Sequence, residues 1–354
     1  MEHLVNKYML SDNIILEKKI TFTNDVIITD GFWGSGKSLL SPIISGMKDV
    51  EKSKLEFIYE YIAALNFLKK ISNDATFWLL NNHSGVSQYN NLISREVNLR
   101  WNDDTGIGYN PGILKYLFRL FYVDKSDDNL VEKINMQNIA LNLMTHNSIL
   151  SIDPILDTFG ARLKFIEIVR HPVYLVKYWE TYLAKYNSKR EFTISFNHKE
   201  KRMPWFIKGY EEEFLKLKSV DQSILMIIKT YEWLKKILAN KNLNNENFLL
   251  LSFEDIVLST NDTMKRIEAF LNRKHSKKLN SLLKRQKIPR KSLTSGRSKA
   301  IHGWKNTGAK SDEEIYAEQI AYINKNGSKK YIKGLSETIN WYNTNFPSKL
   351  SNLQ

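Results

Sequence analysis

Short apolar runs alternate along this chain with longer stretches in which apolar residues recur every three or four positions. Val26–Thr29 is apolar without alternation, which is typical of a parallel strand covered on both faces, and Leu163–Val169 and Asn247–Phe253 are further strand candidates. Asp221–Leu238 has the spacing of an amphipathic helix. Strands that alternate with helices predict an α/β fold, a three-layer sandwich with a central parallel sheet and helices on both faces.

The remaining elements follow from the same two periodicities. We predict an edge strand at Lys19–Phe22, a buried strand at Thr76–Leu80, and helices at Glu56–Leu68, Ile113–Tyr122, Val131–Leu143, Pro172–Tyr186, Asp262–Leu271, Asp312–Asn324 and Tyr331–Asn345. Residues from about 81 to 128 contain several turn clusters and are expected to form an irregular or partly helical insertion. No repeat or long linker divides the chain, so residues 1–354 are predicted to form a single domain.

A glycine-rich turn follows the first predicted strand. Gly31, Gly36, Lys37 and Ser38 satisfy the pattern G-x-x-x-x-G-K-[ST]. Glycine lets the backbone turn with positive φ and approach an anion, and successive N–H groups at a helix N-terminus attract negative charge. Lys37 adds a full positive charge and Ser38 a hydroxyl group. The motif predicts a phosphate-binding loop, but it does not identify the phosphate compound.

The composition excludes several classes of site and of protein. The sequence contains no cysteine, which excludes disulfides, thiolate zinc sites and cysteine nucleophiles. No apolar run approaches the length of a membrane span, and Met1–Asp12 lacks the apolar core of a signal peptide. We therefore expect a cytoplasmic protein.

The net charge of +14 is concentrated in one segment. Arg273 to Lys310 holds thirteen Lys and Arg residues and no acidic residue. A run of this kind is usually a solvated face, although an anionic ligand or a nucleic acid would also explain it. Trp304 is the only aromatic residue in the segment, which disfavours a nucleic-acid-binding module because bases need stacking partners. The residues expected on a solvated helix face are Lys277, Lys278, Lys284, Arg285 and Lys287.

Three further groups of residues narrow the choice of phosphate compound. Arg170 ends the strand Leu163–Val169, which places a guanidinium group at the carboxyl edge of the sheet beside the loop. Phe253-Glu254-Asp255 follows a later strand, and Arg297-Ser298-Lys299-Ala300-Ile301-His302-Gly303-Trp304-Lys305-Asn306 lies in the basic segment. In order and spacing, over most of the chain, these motifs resemble those of the sulfotransferases that use 3′-phosphoadenosine 5′-phosphosulfate (PAPS).

The resemblance implies a role for each matching position. Gly34-Ser35-Gly36-Lys37-Ser38 stands where the family typically carries Lys-Ser-Gly-Thr-Thr around the 5′-phosphosulfate. Thr145-His146 is similar to the family's Thr-His pair, whose His is the catalytic base, about two dozen residues before a strand-ending Arg. Arg170 matches this Arg, which holds the 3′-phosphate, and Tyr178 stands where the family has a Ser in the same contact.

The later motifs are similar in the same way. Phe253-Glu254-Asp255 stands where the family has Tyr-Glu-Asp against adenine, and Arg297, Trp304, Lys305 and Asn306 align with its late basic loop. The resemblance therefore implies catalytic roles for His146 and Lys37. The cofactor-binding residues that it implies are Gly34, Ser35, Gly36, Lys37, Ser38, Leu39, Arg170, Tyr178, Phe253, Arg297, Ser298 and Lys299.

Three departures from the family pattern bear on these roles. Gly34 replaces the loop lysine and Lys37 takes the position found in nucleotidases, so neutralisation of the phosphosulfate has moved along the loop or been lost. Tyr178 in place of Ser weakens one phosphate contact. Residues 81–128 have no counterpart, so the acceptor site is not identified.

The activity implied is transfer of a sulfuryl group from PAPS to a hydroxyl, or less readily an amine, of a small-molecule, carbohydrate or other acceptor. The product of PAPS is then 3′-phosphoadenosine 5′-phosphate. Such a transfer has a loose, in-line transition state and needs positioning and positive charge, with no metal expected.

His83 is a rival base to His146. The competing function is a P-loop kinase or nucleotidase using Mg-ATP, in which Ser148–Asp153 would be a strand ending in a metal-binding Asp.

Overall fold

A five-stranded sheet forms the centre of the structure, a computed structural model that describes residues 14–101, 103, 105–108, 112–121, 127–186, 191–239, 243–293 and 310–347. Its strands are β1 (Val26–Gly31), β2 (Lys54–Leu55), β3 (Leu141–Met144), β4 (Leu163–Val169) and β7 (Phe248–Ser252). They lie in the order β2-β3-β1-β4-β7, and every pairing between them is parallel. The strands β5 (Ser195–His198) and β6 (Lys201–Pro204) form a separate antiparallel pair.

Helices connect the strands in the described part of the chain. Before β3 they are α1 (Lys37–Ile44), α2 (Phe57–Phe67), α3 (Asn73–Leu92), α4 (Ile113–Leu120) and α5 (Asp127–Gln137). Between β3 and β7 they are α6 (Asp153–Phe159), α7 (Pro172–Ala184), α8 (Glu211–Leu215) and α9 (Ser219–Leu238). After β7 they are α10 (Phe253–Leu258), α11 (Thr260–Leu271), α12 (Leu279–Gln286), α13 (Asp312–Asn326) and α14 (Lys329–Asn345). Short 3₁₀ turns lie at Ser148–Ser151, Gly160–Arg162 and Trp205–Ile207.

Helices cover both faces of the sheet. Successive residues of a strand point to opposite faces, so the contacts of neighbouring positions identify the two sides. The hydroxyl of Ser53 bonds to Ser41 of α1, and Asn142 Nδ2 donates to the Ser41 carbonyl at 3.3 Å. Lys54, the residue after Ser53, points to the other face, and its Nζ pairs with Glu96, which follows α3, at 2.6 Å. The layers are therefore helix, sheet and helix, which confirms the predicted α/β fold.

The core is built from the strands that lie in the middle of the sheet. Val26, Ile27 and Ile28 of β1 are completely buried, as are Phe165 and Ile166 of β4. Both strands have a parallel neighbour on each side and helices above and below, which explains their unbroken apolar character. The predicted strands at Val26–Thr29 and Leu163–Val169 are confirmed.

Two of the predicted strands are wrong. Thr76–Leu80 lies inside α3, which starts after Ser72, whose hydroxyl accepts a hydrogen bond from Ala75 N at 3.3 Å. A short apolar run does not distinguish a strand from a buried turn of helix, and the N-cap serine is the signal that does. Lys19–Phe22 is not a strand either, and the side chain of Phe22 packs in a small apolar cluster with α3 and α5.

Two predictions around β3 also need correction. The helix predicted over Val131–Leu143 ends at Gln137, and β3 then pairs with β1 and β2. The proposed strand Ser148–Asp153 is a 3₁₀ turn followed by the start of α6, and Asp153 is exposed. Thr145-His146 therefore follows a strand and not a helix. An apolar segment becomes a strand here because the sheet has a place for it between β1 and β2.

The basic segment is folded as far as the structure describes it. Lys277, Lys278, Lys284 and Lys287 are exposed around α12, as predicted for a solvated face, whereas Arg285 is half-buried. The single domain over residues 1–354 and the insertion at 81–128 stay predictions.

Glu254 ties the last helix to the sheet and allows a test of this packing. The carboxylate is 1% exposed and accepts hydrogen bonds from the Tyr342 hydroxyl of α14 and, at 3.2 Å, from His171 N. We expect Tyr342→Phe to lower the free energy of unfolding by about 1–3 kcal/mol, because a buried acceptor loses its donor.

Tyr331→Phe is the matched control for urea unfolding. The Tyr331 hydroxyl donates at 2.8 Å to Glu213, which is 35% exposed and keeps its ion pair with Lys330. This variant should lose less than about 0.5 kcal/mol, in the range of a surface substitution. Equal losses in the two variants would contradict the assigned role of Glu254.

Candidate active site

The phosphate-loop sequence connects β1 to α1 and is anchored in the core. Phe32 and Trp33 are 0% and 4% exposed. The Trp33 carbonyl accepts a hydrogen bond from Trp179 Nε1 of α7 at 2.8 Å, and the Trp33 ring lies 3.8 Å from that of Tyr182, measured between centroids. The first half of the loop is therefore held by aromatic packing, and the glycines form its second half.

Two glycines of the loop leave space that aromatic rings fill. Gly34 and Gly36 have φ angles of +83° and +105°, which L-residues with a side chain rarely adopt. A Cβ at Gly34 would lie 2.9 Å from the ring of Tyr178, and a Cβ at Gly36 would lie 2.3 Å from the ring of Phe253. Gly34 and Tyr178, which both depart from the sulfotransferase pattern, therefore form one packing arrangement. The Tyr178 ring occupies the space that a side chain at residue 34 would need.

The helix α1 begins at Lys37, immediately after this turn. The N–H groups of Lys37 and Ser38 lie in the first turn of the helix, where the backbone offers them no intrahelical acceptor. Ser38 is exposed, Leu39 is half-buried, and Ser35 is completely buried in the loop. This arrangement can bind an anion through backbone N–H groups.

Lys37 lies beneath the loop and close to three acidic side chains. It is 5% exposed, and its Nζ donates to the Phe32 carbonyl at 3.2 Å. Burial lowers the pKa of Lys37, and the nearby charges of Asp30, Glu60 and Glu167 oppose that shift. Lys37 is therefore a buried lysine within electrostatic range of three acidic groups.

Two of these acids are neighbours on adjacent strands. Asp30 of β1 and Glu167 of β4 are Cα partners in the sheet, and both are completely buried. Asp30 accepts hydrogen bonds at 2.9 Å from Thr145 Oγ1 and from Ile149 N. Burial raises the pKa of Asp30, and burial together with the charge of Asp30 raises that of Glu167 well above its usual range. Sequence reasoning missed both residues, although acids inside apolar strands were a visible signal.

His146 lies at the same edge of the sheet as the loop. Thr145 N donates to the carbonyl of Thr29 at 3.1 Å, and Asn147 N donates to that of Gly31 at 3.3 Å. These two bonds place His146 next to the carboxyl end of β1. The side chain is 23% exposed.

Glu60 of α2 orients His146. Its Oε1 lies 2.8 Å from His146 Nδ1 and accepts a bond from His146 N at 2.6 Å. Because Oε1 already accepts from His146 N, we assign the proton to Nδ1, which leaves Nε2 of the neutral ring as its free acceptor. The imidazole also stacks on Phe57, with 5.4 Å between centroids and 2° between planes. Burial and the charge of Lys37 lower the pKa of His146 well below its usual range.

His83 occupies a different place. It lies on α3, so the prediction that it follows a strand is wrong. Its Nε2 is 3.7 Å from Glu56 Oε2, and its ring meets Tyr59 edge-on at 5.2 Å. Glu56 and Glu60 are one turn apart, so the two histidines approach different positions of the N-terminal part of α2.

Arg170 contacts the loop directly. Its Nη1 donates to the Gly34 carbonyl at 3.1 Å, and its Cζ lies 4.3 Å from the centroid of the Phe253 ring. A second guanidinium, that of Arg290, lies 5.7 Å from the same ring. Burial and the charge of Arg170 lower the pKa of Arg290 to about 10. Sequence reasoning did not single out Arg290 within the basic segment.

Several predicted positions cannot be placed. Arg297, Ser298, Lys299, Trp304 and the rest of that loop lie outside the described residues. The described chain brings together Gly34, Gly36, Lys37, His146, Arg170, Tyr178 and Phe253 around one sheet edge. Within it, no group of three or more His, Asp or Glu side chains is arranged to hold a metal, and no helix is long and apolar enough to cross a membrane.

The buried acid Glu167 offers a test of this electrostatic arrangement by its pH dependence. In the unfolded chain a glutamate ionises near its ordinary pKa of 4.5, whereas the folded protein keeps the proton to higher pH. At this site the folded state then binds more protons, so the contribution of Glu167 to the free energy of unfolding falls as the pH rises above about 4.5.

Glu167→Gln has no proton to lose. From pH 5 to pH 8, we expect its free energy of unfolding to rise relative to wild type by about 1 kcal/mol or more, since one pKa unit corresponds to about 1.4 kcal/mol. Urea unfolding at several pH values measures this difference. The exposed Glu200→Gln is the control and should follow wild type. Parallel curves for Glu167→Gln and wild type would show that Glu167 is ionised in the folded protein.

Comparisons with known proteins return sulfotransferase structures. Neither a protein-family model nor a curated protein sequence matches the chain. Sulfotransferase STF9 from Mycobacterium avium is similar at 11% identity, covering 98% of this chain and 81% of that chain, with a TM-score of 0.42. The sulfotransferase domain from the curacin biosynthetic pathway is similar at 13% identity, with coverage of 72% and 76% and a TM-score of 0.38. Sulfotransferase STF1 from Mycobacterium tuberculosis H37Rv is similar at 11% identity, with coverage of 84% and 77% and a TM-score of 0.37.

Proposed function

We propose that this protein transfers a sulfuryl group from PAPS to a hydroxyl group of an acceptor. The observation that carries the proposal is the position of His146. Glu60 orients its ring, and the residue follows β3 beside the carboxyl end of β1, where the anion-binding loop begins. A base and an anion site at one sheet edge are what transfer to a hydroxyl requires.

The residues around the loop fit the donor. A loop with positive φ at Gly34 and Gly36, followed by free N–H groups of α1, suits the 5′-phosphosulfate. Arg170 and Arg290 flank the ring of Phe253, which suits an adenosine that carries a second phosphate. PAPS itself supplies the sulfuryl group on a phosphate leaving group.

The remaining steps belong to side chains of this chain. His146 Nε2 takes the proton of the acceptor hydroxyl, and burial keeps the ring neutral at pH 7 because its pKa is lowered. Glu60 is a positioning residue that holds Nδ1–H. Lys37 supplies positive charge below the loop, where the leaving phosphate gains negative charge.

Fewer observations support the two competing functions, a P-loop kinase and a nucleic-acid-binding module. The strand ending in a metal-binding Asp, which a kinase would have at Ser148–Asp153, is not present there. For nucleic-acid binding, one basic residue of the segment is already engaged, since Arg273 pairs with Asp25 at 2.8 Å and donates to two backbone carbonyls.

Isothermal calorimetry with 3′,5′-adenosine bisphosphate tests the donor. We expect the bisphosphate to bind without magnesium and more tightly than ATP. Arg170→Ala and Arg290→Ala should each weaken bisphosphate binding by roughly 10- to 150-fold, because a charge-assisted hydrogen bond contributes about 1.5–3 kcal/mol. Both should bind adenosine 5′-phosphosulfate, which lacks the 3′-phosphate, almost as wild type does.

Arg202→Ala is the matched control. This arginine is exposed on the separate antiparallel strand pair, where its Nε donates to Ser195 Oγ at 2.7 Å. The variant should leave both affinities unchanged. Equal losses for the two nucleotides in Arg170→Ala would mean that the arginine supports the fold. Tighter binding of Mg-ATP than of the bisphosphate would favour the kinase.

His146→Asn should lower the rate of transfer by about 10²- to 10⁴-fold, the usual contribution of a general base. Radiolabelled PAPS with a panel of hydroxyl compounds provides the assay. Bisphosphate affinity should stay near wild type, because a neutral imidazole adds no charge to the phosphate site. The wild-type rate should fall on acidification only below about pH 6.5, since the pKa of His146 is lowered.

His83→Ala is the control. It should lower the rate of transfer only slightly, because the His83 ring contacts Glu56 and Tyr59 and not Glu60. An essential His83 together with a dispensable His146 would move the base to α3 and contradict the assignment.

A further inference from the structure

Among the described residues, one nearly buried lysine beside the edge strand, Lys52, has no ion-pair partner. The segment before β2 runs along β3, with a bridge between Val50 and Ala140 and pairing of Lys54 with Leu143. Ser53 points toward α1, whereas Lys54 points to the opposite face of the sheet, toward Glu96. Lys52 lies in electrostatic range of Lys54, Glu56 and Glu96. The exposed fractions of Lys52 and Lys54 are 3% and 5%.

The two lysines differ in their partners. Lys54 Nζ pairs with Glu96 at 2.6 Å and lies 3.9 Å from Glu56. Within the described chain, Lys52 Nζ forms no ion pair with a carboxylate within 4.0 Å. The backbone N of Lys52 donates to the Tyr116 hydroxyl at 3.0 Å. A buried ammonium with no partner is unfavourable unless something else compensates its charge.

The acidic residues that face Lys52 already have other cations. Glu51 pairs with Lys115 at 3.1 Å and with Arg119 at 2.8 Å. Glu56 and Glu96 pair with Lys54. Among the described residues, four cations, Lys52, Lys54, Lys115 and Arg119, lie near Glu51, Glu56 and Glu96, with Asp49 in electrostatic range of Lys115. Lys52 is the one of these four cations without a close ion pair. Burial and the neighbouring Lys54 lower the pKa of Lys52 to about 8, so it is mostly charged at pH 7.

Neutral polar groups in the same region also lack partners among the described residues. Asn91 Nδ2 and Oδ1 and Ser94 Oγ are buried and make no hydrogen bond. Asn91 adjoins this cluster, because Arg119 donates to its carbonyl at 3.0 Å. Buried polar atoms are nearly always satisfied in folded proteins, so a group of unsatisfied ones marks a place for a polar ligand or water.

The cluster adjoins the candidate active site. Glu56 N donates to the Met144 carbonyl at 3.3 Å, two residues before His146, and Glu60 is one turn further along α2. The cluster therefore lies on the side of His146 formed by β2 and α3, whereas Arg170 and Phe253 lie on the side of β4 and β7.

We propose that Lys52, with Lys54 beside it, binds an anionic group of the acceptor, a carboxylate, phosphate or sulfate ester. The anion gives Lys52 the close ion-pair partner that it lacks and accepts hydrogen bonds from the unsatisfied donors Asn91 Nδ2 and Ser94 Oγ. Its assignment to an acceptor rests on the proposed function, whereas binding of an anion at Lys52 does not.

Thermal unfolding in sodium sulfate, compared with sodium chloride at matched ionic strength, tests the anion site. The proteins are wild type, Lys52→Met and the control Lys48→Met, whose lysine is exposed four residues earlier. We expect Lys52→Met to unfold in chloride at the wild-type temperature or above it, because it removes an unpaired buried charge. It should lose at least half of the sulfate-dependent rise in Tm, while Lys48→Met keeps the whole rise. The phosphate loop is the same in all three proteins, so its own response to sulfate cancels in the comparison.

A structural lysine would give the opposite result, with a lower Tm for Lys52→Met in chloride and the full sulfate response. That result overturns the proposal. Bisphosphate binding measured on the same proteins reports separately on the proposed function. Loss of the sulfate response in Lys52→Met without bisphosphate binding by wild type would keep the anion site and reject the transferase.

Two glycosides that differ in one carboxylate test whether the anion belongs to an acceptor. We expect p-nitrophenyl β-D-glucuronide to raise the wild-type Tm more than p-nitrophenyl β-D-glucoside does, and Lys52→Met to abolish the difference. Equal responses to the two glycosides, alongside a Lys52-dependent response to sulfate, would limit the site to free inorganic anions and withdraw its assignment to the acceptor.

Discussion

Contact between two glycines and two aromatic rings determines the path of the loop between β1 and α1. Tyr178 lies against Gly34 and Phe253 against Gly36, each closer than a Cβ would permit. The same rings bring in the rest of the site, since Phe253 stacks with the guanidinium of Arg170, which donates to the Gly34 carbonyl. Elements far apart in sequence therefore meet at the loop, and its shape depends on all of them.

Buried charge is the second constraint on the molecule. Lys37, Asp30, Glu60 and Glu167 lie within electrostatic range of one another, where a single unpaired charge would be costly. Burial raises the pKa of each acid and lowers the pKa of Lys37. The protonation state of each of these four groups therefore depends on the charges of the others. This cluster connects loop and base, because Glu60 also orients His146.

The helix α2 links the two polar regions of the structure. Glu60 faces His146, and Glu56, one turn earlier, faces His83 and the lysines beside β2. If the proposed function holds, the region around His146 takes the proton of the acceptor hydroxyl, and the region around the lysines beside β2 holds the anionic group of the acceptor. Both are placed by a helix that starts directly after an edge strand, so a shift of α2 would change the two together.

The sequence by itself determined the fold class, the strands β1 and β4, and the loop between β1 and α1, because their signals are local: unbroken apolar runs and closely spaced glycines. It also singled out Arg170, which follows a predicted strand, and His146, through the resemblance of Thr145-His146 to a family motif. The N-cap Ser72 was a local signal for the helix at Thr76–Leu80. Tertiary structure alone decided that Leu141–Met144 is a strand, and that Glu60, Arg290 and Lys52 belong to polar clusters. Those outcomes depend on which distant segment packs alongside, and no local pattern carries that information.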